Sequence, residues 1–288
     1  MIICKTIESL HQQLSSLKYQ PNNIGFVPTM GALHQGHISL IALSKKQTQT
    51  TICSIFVNPT QFNDPKDFEK YPITIEQDIL ELELAGCDFL FLPSQQEMYP
   101  NGTVSEKKYP LEFLDTVLEA AFRPGHFQGV CQVVERLFKI VQHDKLFLGE
   151  KDLQQCLVVK KAIEILGKQN EIELIIAPTL REPSGLAMSS RNRRLSETDK
   201  ENATAIYKCM QEMKKNLSSK SITDLEQEAK MHLQKNGFDK IDYISVCNST
   251  TLEAITKWNG TDKVVVLIAA FLNGIRLIDN MRIDGLNN

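Results

Sequence analysis

The sequence predicts an α/β protein with a Rossmann-like, doubly wound parallel sheet over residues 1–177 and a smaller C-terminal α+β domain over residues 178–288. Before Pro178, short β-branched or aromatic runs alternate with helical segments, which is typical of βα units and a parallel sheet covered on both faces. After Pro178, two helical segments precede strand-like runs. The length of 288 residues also exceeds that of a usual single domain.

The elements of the first domain follow from apolar periodicity and turn residues. Strands are predicted at 24–27, 51–57, 88–92, 145–148 and 172–176. Helices are predicted at 37–46, 74–85, 129–142 and 153–166. Thr74 and Gln77 have capping-box spacing at the start of the second helix, and Gly86 is placed to end it.

The smaller domain is predicted to place two helices before an antiparallel sheet. The helices cover 197–217 and 223–235, and the strands cover 241–247, 263–272 and 275–279. Asn273-Gly274 lies between the last two strands and is a strong signal for a type I′ hairpin turn.

Composition excludes several classes of protein. With 35 acidic and 32 basic residues the net charge is −3, which argues against general nucleic-acid binding. The longest apolar run, 264–272, is far shorter than the roughly 20 residues that cross a membrane, and no signal-peptide pattern opens the chain. The seven dispersed cysteines indicate reduced, buried thiols in the cytoplasm.

The strongest chemical signal follows the first predicted strand. This stretch is Pro28-Thr29-Met30-Gly31-Ala32-Leu33-His34-Gln35-Gly36-His37. His34 and His37 are three residues apart, so they project from one face of an opening helical turn. Free N–H groups at such a turn attract anions, and imidazoles can also donate protons. The pattern indicates a phosphate site; the alternative is an ordinary turn with two solvated histidines.

Two stretches offer groups for a small polar substrate. Asn58 and Gln61 follow the second strand, and their neutral amides can bind hydroxyls and carboxylates without desolvating a charge. Arg123 opens a helix and could clamp a phosphate or carboxylate in bidentate fashion, oriented by Glu119. For His126 in the same stretch, the alternative to a functional role is a purely structural one.

Two further stretches carry positive charge. Lys151 follows the fourth strand as a point charge suited to phosphate, with Gln155 one helical turn later. A Gly/Pro-rich loop at the domain junction holds two hydroxyls and an arginine that suit a triphosphate. These are Ser189, Ser190 and Arg191. The alternative for this loop is a basic surface segment.

In this order, these stretches resemble the motifs of the pantothenate synthetase (pantoate–β-alanine ligase) family, within the HxGH nucleotidylyltransferase superfamily. The resemblance runs through nearly the whole chain. The matching segments are PTMGALHxGH at 28–37, VNPTQF at 57–62, RPGHFxGV at 123–130, FLGEKDLQQ at 147–155, GLAMSSRN at 185–192 and RLIDN at 276–280.

The resemblance implies an ATP-dependent ligase. ATP and pantoate would form pantoyl adenylate and pyrophosphate, and the amine of β-alanine would then displace AMP to give pantothenate. It further implies that Mg²⁺ accompanies ATP, and that the chain works as a homodimer in the cytoplasm.

Residue roles carry over by motif. His34 and His37 would lie on the phosphates, with His37 as proton donor, and Leu180 would present its backbone near the adenine. The donors to the reacting phosphate would be His34, His37, Lys151, Ser189, Ser190 and Arg191. The nucleotide site would comprise Met30, Gly31, Ala32, Leu33, His34, Gln35, Gly36, His37, Gly149, Glu150, Lys151, Asp152, Leu180, Met188, Ser189, Ser190 and Arg191. Substrate contacts would come from Pro28, Thr29, Met30, Asn58, Gln61, Arg123 and Gln155, with Gln61 and Gln155 on pantoate.

Some positions leave alternatives open. Asp78 is the one candidate for a protein ligand of Mg²⁺, with a helix-surface carboxylate as its alternative. Ile73 and Ser184 stand where the family often has Arg and Asp, and Thr60 stands where it varies with Met. None of these differences removes a proposed donor.

Two other functions remain open. One is another HxGH nucleotidylyltransferase acting on a small acid or alcohol, which the paired glutamines at 61 and 155 disfavour. The other is a non-catalytic nucleotide-binding protein, which the retention of all the phosphate donors disfavours. Motifs of other classes, namely GxSxG, GxxxxGK[ST] and GxGxxG, are absent from the sequence.

Overall fold

The computed structural model describes residues 1–15, 23–63 and 65–283. Residues 284–288 of the predicted second domain lie outside that description. The chain divides into two compact units. The first unit comprises Met1–Glu150 and Gln155–Pro178, and the second comprises Lys151–Gln154 and Thr179–Asn288. The division after Pro178 lies one residue from the expected boundary, whereas the membership of Lys151–Gln154 in the second unit was not anticipated.

The first unit is built on a six-stranded sheet in the order β1-β4-β3-β2-β5-β6, and all its strand pairs are parallel. The strands are β1 Ile2–Cys4, β2 Ile24–Thr29, β3 Thr50–Ile55, β4 Phe89–Phe91, β5 Lys145–Gly149 and β6 Glu173–Ala177. The predicted fold class is confirmed. The sequence interpretation missed β1, because three residues are too few to show a periodic pattern.

Helices accompany the strands through this part of the chain. They are α1 Ile7–Ser15, α2 Gln35–Gln47, α3 Pro65–Glu69, α4 Ile75–Leu84, α5 Gln95–Met98, α6 Glu119–Phe122, α7 His126–Ile140 and α8 Leu153–Ile165. Phe26 and Val27 are adjacent on β2 and fully buried, yet they belong to different hydrophobic clusters. Because adjacent strand residues point to opposite faces, both faces of the sheet are covered.

The strand order positions the site. The chain adds β3 and β4 on one side of β2 and then crosses to add β5 and β6 on the other. Ligands of doubly wound sheets bind beyond the carboxyl ends of the strands at such a reversal. The turn before α2 follows β2 at this point, a 3₁₀ turn at Pro59–Gln61 follows β3, and Gly149 ends β5.

The second unit packs helices on a three-stranded antiparallel sheet in the order β7-β8-β9. Its elements are α9 Glu197–Asn216, α10 Ile222–Lys235, β7 Phe238–Asn248, β8 Val264–Leu272 and β9 Ile275–Ile283. Asn273 and Gly274 have φ values of 49° and 72°, as a type I′ turn requires, so the predicted hairpin is confirmed. The longest apolar run is the central strand β8.

Several local predictions were tested by the side-chain contacts. The capping box was wrong: Thr74 Oγ1 donates to Asp78 (3.0 Å), and Gln77 donates to Glu81 (2.8 Å) instead of the helix start. Gly86 does follow α4 in a left-handed conformation (φ 77°).

All seven cysteines are free and buried, as expected. Among the described residues, no helix is both long and apolar enough to cross a membrane.

Candidate active site

The turn between β2 and α2 is held in an unusual backbone conformation. Gly31 and Ala32 both have positive φ, at 79° and 49°. A left-handed alanine is disfavoured by its Cβ, so it persists only where the surroundings fix it. Asp78 on α4 provides that restraint by accepting the N–H groups of Ala32 (2.9 Å) and Leu33 (2.8 Å).

The structure corrects the interpretation of Asp78. Its side chain is fully buried, so the alternative of a helix-surface carboxylate was wrong. Its oxygens receive two backbone N–H groups and the Thr74 hydroxyl. A carboxylate that accepts these three donors restrains the turn. Among the described residues no group of three or more His, Cys, Asp or Glu side chains could hold a metal ion.

The two histidines of the motif open α2. His34 is the N-cap, and its Nδ1 accepts the N–H of Gly36 at 3.1 Å. His37 Nδ1 in turn accepts the N–H of His34 at 3.3 Å, which completes a reciprocal capping box. The rings lie side by side with centroids 4.0 Å apart.

These contacts determine the tautomers of both rings. Because Nδ1 of His34 and of His37 accepts a backbone N–H, neither Nδ1 carries a proton. In the neutral imidazole the proton is therefore on Nε2, and each ring can act as a donor through that atom. Both side chains are half-buried at the positive end of a helix, which is a favourable environment for phosphate oxygens.

The residues before the histidines form the wall of the same turn. Thr29 Oγ1 donates to the Ser54 carbonyl (2.8 Å) and accepts the Gly31 N–H (3.2 Å), so this buried hydroxyl is used within the protein. Pro28 lies in β2, where its backbone pairs with β3. Met30 presents its sulfur to Gln61 Nε2 at 3.0 Å. Met30 thus joins the two motifs, whereas the Thr29 side chain is structural.

Asn58, predicted as a substrate contact, has its amide hydrogen-bonded to protein groups. The residue is 1% exposed. The Oδ1 atom accepts hydrogen bonds from Thr60 and from the Tyr99 hydroxyl (2.8 Å). The Nδ2 atom donates to the Gly129 carbonyl and to Gln61 Oε1 (3.2 Å). Its amide therefore orients Gln61, which remains the candidate for substrate. A Cβ at Gly129 would lie 2.0 Å from the Thr60 carbonyl oxygen, so this approach requires glycine.

Arg123 also lies in an internal chain of contacts. Its guanidinium is 3.5 Å from Glu119, as the predicted orienting role of Glu119 required, and it donates to His126 Nε2 at 3.2 Å. His126 Nδ1 donates to the Gln61 carbonyl at 2.7 Å. Arg123 therefore supports Gln61 through His126, which agrees with the structural alternative for His126.

The other residues of the first unit lie beyond β5. Gly149 ends the strand, and its carbonyl accepts from the Cys156 thiol at 3.4 Å. Glu150 begins a one-turn 3₁₀ helix, Glu150–Asp152. Gln155 lies in the first turn of α8 with a half-buried side chain.

In the second unit, Lys151 has a largely buried side chain, 16% exposed, with its ammonium 3.9 Å from Asp152 Oδ1. Leu180 accepts the Met188 N–H at 3.1 Å, which closes a small hairpin ahead of the serines. Ser189 caps a 3₁₀ turn, Ser190–Arg194, by accepting the Arg191 N–H, and Ser190 is 7% exposed.

The structure brings together the residues predicted within each unit. Met30, His34, His37 and Gln61 follow neighbouring strands of the parallel sheet, and Ser189, Ser190 and Arg191 share one turn of the second unit. A doubly wound parallel sheet with two imidazoles at a helix start after a strand is typical of α/β proteins that bind phosphorylated nucleotides.

Comparison with known proteins gives the family. A profile described as pantoate-beta-alanine ligase matches residues 2–282. The pantothenate synthetase of Cytophaga hutchinsonii is 44% identical over 98% of this chain and 99% of its own. The chain belongs to the pantoate–β-alanine ligase family.

Solved structures agree with this assignment. The pantothenate synthetase of Thermus thermophilus superposes with a TM-score of 0.87 at 35% identity and covers 98% of this chain and 99% of its own. The pantoate-beta-alanine ligase of Francisella tularensis superposes with a TM-score of 0.81 at 38% identity and covers 98% and 97%. That protein is described as complexed with "Beta-gamma ATP" and β-alanine.

Sequence reasoning missed the supporting role of three residues outside the strongest motifs. Tyr99 binds Asn58, Asp78 restrains the turn before α2, and Arg181 pairs with Asp279 in the second unit. For Asp78 a signal existed, since it lies four residues before Leu82 and therefore on the apolar face of α4. For Tyr99 and Arg181 the partners are distant in sequence, and no local pattern identifies them.

Proposed function

We propose that this chain joins pantoate to β-alanine with ATP, forming pantothenate, AMP and pyrophosphate. The observation that carries this proposal is the family match over residues 2–282, which includes every candidate donor. The reaction requires no nucleophile from the protein, because the carboxylate of pantoate attacks and the amine of β-alanine completes the transfer.

The first step is formation of an acyl adenylate. A pantoate carboxylate oxygen attacks the α-phosphorus of ATP, and the bond to the bridging oxygen breaks to release pyrophosphate. Negative charge then develops on the phosphoryl oxygens, and preorganised donors lower the barrier most where that charge forms. The Nε2–H groups of His34 and His37, the Lys151 ammonium, and the hydroxyls and guanidinium of Ser189, Ser190 and Arg191 are assigned to these oxygens.

The second step transfers the acyl group. The β-alanine nitrogen attacks the pantoyl carbonyl carbon, a C–N bond forms, the bond to the AMP oxygen breaks, and the amine proton leaves to solvent. Gln61 and Gln155 are assigned to pantoate, whose hydroxyls and carboxylate suit neutral amides. Asn58 and Arg123 are assigned to orient Gln61, Asn58 through its amide and Arg123 through His126.

Mg²⁺ enters with ATP as part of the substrate. Magnesium usually retains several waters and binds through substrate phosphates with few carboxylates, so a protein cage is not required. Because the oxygens of Asp78 are committed to the turn before α2, we do not assign it to the ion.

A homodimer in the cytoplasm remains part of the proposal. The support for a reducing compartment is the set of seven free, buried thiols. Light scattering on the purified chain measures the assembly: a mass near twice 32.6 kDa is expected, and a monomer at working concentration would contradict the dimer.

Product analysis tests the proposed reaction. We expect AMP release to require pantoate and β-alanine together, with one pantothenate formed per AMP. His34→Ala, His37→Ala and Lys151→Ala should each lower turnover by on the order of 10²-fold or more, as for loss of one preorganised donor. His232→Ala, an exposed histidine in α10, is the matched control. Nucleotide transfer to another acid or alcohol, with no pantothenate formed, would favour a different nucleotidylyltransferase.

A further inference from the structure

Two adjacent polar residues in the middle of β9 are both buried. Asp279 is 5% exposed and Asn280 is 4% exposed, although neighbouring residues of a strand point to opposite faces. Burying an ion or an amide is unfavourable unless its hydrogen bonds are satisfied inside the protein. The partners of these two side chains therefore indicate why they are buried.

Asp279 is paired with Arg181. Arg181 Nη1 lies 2.5 Å from Oδ2 and Nη2 lies 3.0 Å from Oδ1, a bidentate arrangement that fixes the direction of the guanidinium. Burial raises the pKa of the Asp279 carboxyl, and Arg181, the Asn280 N–H and the charge of Lys151 oppose that shift. The guanidinium also lies 4.5 Å from the centre of the Tyr207 ring.

Asn280 links this ion pair to Lys151. Its Nδ2 donates to the Lys151 carbonyl at 2.9 Å, across 129 residues of sequence. Its own N–H donates to Asp279 Oδ1 (2.8 Å), and its carbonyl accepts from Arg181 Nη2 (3.2 Å). The peptide group of Lys151 is therefore attached to the middle of β9 by a buried amide.

The same guanidinium also restrains the chain ahead of the serines. Arg181 Nη1 donates to the Gly185 carbonyl at 3.2 Å, and Arg181 forms a bridge with Ala187. Gly185 has φ 92°, and a Cβ there would lie 2.3 Å from the Tyr207 ring, so this turn accepts only glycine. Ser189 follows two residues after Ala187 and begins the turn that carries Ser190 and Arg191.

We propose that Arg181, Asp279 and Asn280 are positioning residues that hold Lys151 and the Ser189–Arg191 turn in place for the phosphates. This inference rests on the proposed function, because it assigns the purpose of the network to phosphate contact. None of the three touches the reacting atoms. Asn280 acts on Lys151 through its carbonyl, and Arg181 acts on the serine turn through the Gly185 carbonyl.

A double-mutant cycle between Asn280 and Lys151 tests the proposal. Asn280→Ala is expected to lower kcat/KM for ATP about tenfold or more, and to leave the KM for pantoate within twofold. If Asn280 acts through Lys151, the same substitution in a Lys151→Ala background should cost less than twofold, since interacting residues are not additive. Equal losses in both backgrounds, or unchanged kcat/KM in Asn280→Ala, would overturn the proposal.

Two further variants separate positioning from stability. Asn280→Leu keeps the branched outline of the side chain and removes the donor, so it should reproduce the kinetic loss if Asn280→Ala does not fold. Asn259 orders an exposed turn of the same unit by accepting from Thr261 and Asp262, and Asn259→Ala should lower Tm without changing kcat/KM for ATP. An equal kinetic loss in Asn259→Ala would mean that a general loss of stability causes the Asn280 effect, which would contradict the proposal.

The test also distinguishes the inference from the proposed function. Wild-type chain that releases no AMP with pantoate and β-alanine would refute the function itself. Wild-type activity with an additive cycle would refute the positioning role alone. Calorimetric binding of α,β-methylene ATP gives a readout without turnover, in which Asn280→Ala is expected to bind about tenfold more weakly.

Discussion

Each unit uses a buried carboxylate to hold a backbone segment, but the two carboxylates have different partners. In the first unit, Asp78 accepts two backbone N–H groups and a hydroxyl, all of them neutral. In the second unit, Asp279 receives a guanidinium in addition to one backbone N–H. The charge of Asp78 is thus dispersed over dipoles, whereas the charge of Asp279 is matched by a cation.

The difference determines what each unit loses when its carboxylate is removed. Neutral donors that lose an acceptor are left unsatisfied, which costs the desolvation of polar groups. A guanidinium that loses its partner is left as an uncompensated, largely buried charge, which is more unfavourable. We therefore expect the second unit to be the more sensitive to loss of one carboxylate charge.

The largest effect is expected for Asp279→Asn. It leaves Arg181 without its counter-ion, and we expect the free energy of unfolding to fall by about 3–5 kcal/mol. Urea denaturation measures this change. Asp239→Asn, at an exposed position of β7, is the matched control and should lie within about 0.5 kcal/mol of wild type. Equal values for the two variants would mean that the ion pair contributes nothing measurable.

Acid should destabilise the first unit through His143. This ring packs between Phe26 and Phe138, and burial lowers its pKa to about 4. The unfolded chain, with a pKa of about 6.5, binds the proton more readily between these values. The stability contributed by His143 is therefore complete above about pH 6.5 and falls by about 3 kcal/mol as the pH drops to 4.

A substitution isolates this pH effect. His143→Phe keeps a ring between the two aromatic neighbours and removes the titrating group, so the pH dependence of unfolding between 6.5 and 4 should flatten. His232→Gln, at an exposed histidine of α10, should keep the wild-type slope. If His143→Phe retains the full slope, another group is responsible.

A smaller loss is expected for Asp78→Asn. The amide keeps one acceptor but directs an NH₂ group at backbone N–H donors, so stability should fall by about 1–3 kcal/mol. Activity should fall further than stability, because the same turn leads into His34. Glu76→Gln, at an exposed position of α4, is the control. A greater loss of stability in Asp78→Asn than in Asp279→Asn would reverse the comparison.

The smallest effect is expected at the substrate amides. Gln155→Ala and Gln61→Ala should each raise the KM for pantoate about tenfold. A tenfold change corresponds to roughly 1.4 kcal/mol, which is the expected contribution of one hydrogen bond to the substrate. Gln61→Ala also frees Asn58 Nδ2 and should cost some stability, whereas Gln155→Ala should not. Gln96→Ala, at an exposed position of α5, is the kinetic control. An unchanged KM in both variants would remove pantoate from these residues.

The sequence predicted the parts of the molecule that depend on local pattern. The parallel sheet follows from buried runs such as 24–29, and the β8–β9 hairpin follows from Asn273-Gly274, because both signals are encoded in neighbouring residues. The spacing of His34 and His37 predicted that both lie at the start of a helix, whereas their reciprocal capping was not predicted. The other four candidate donors were chosen for their charge or hydroxyl group after a strand or in the junction loop, and the roles of all six remain predictions.

The contacts of the supporting residues were not predictable, because their partners are distant in the chain. Asp78 contacts a turn 46 residues away, and Asn280 contacts a carbonyl 129 residues away. The expected capping box failed for a related reason: the Thr74 hydroxyl forms its bond with a buried carboxylate in preference to the helix end. Asn58 has the chemistry of a substrate ligand, but only its tertiary contacts reveal that protein groups already use its amide.

The most direct test is ATP–pyrophosphate exchange with Mg²⁺ and pantoate in the absence of β-alanine. An acyl-adenylate mechanism predicts that exchange requires pantoate. It also predicts that exchange stops when β-alanine is added, because the amine converts the intermediate to pantothenate and AMP. Exchange without pantoate, or no exchange together with no AMP after β-alanine is added, would contradict the mechanism and the assignment of the donors to the α-phosphate.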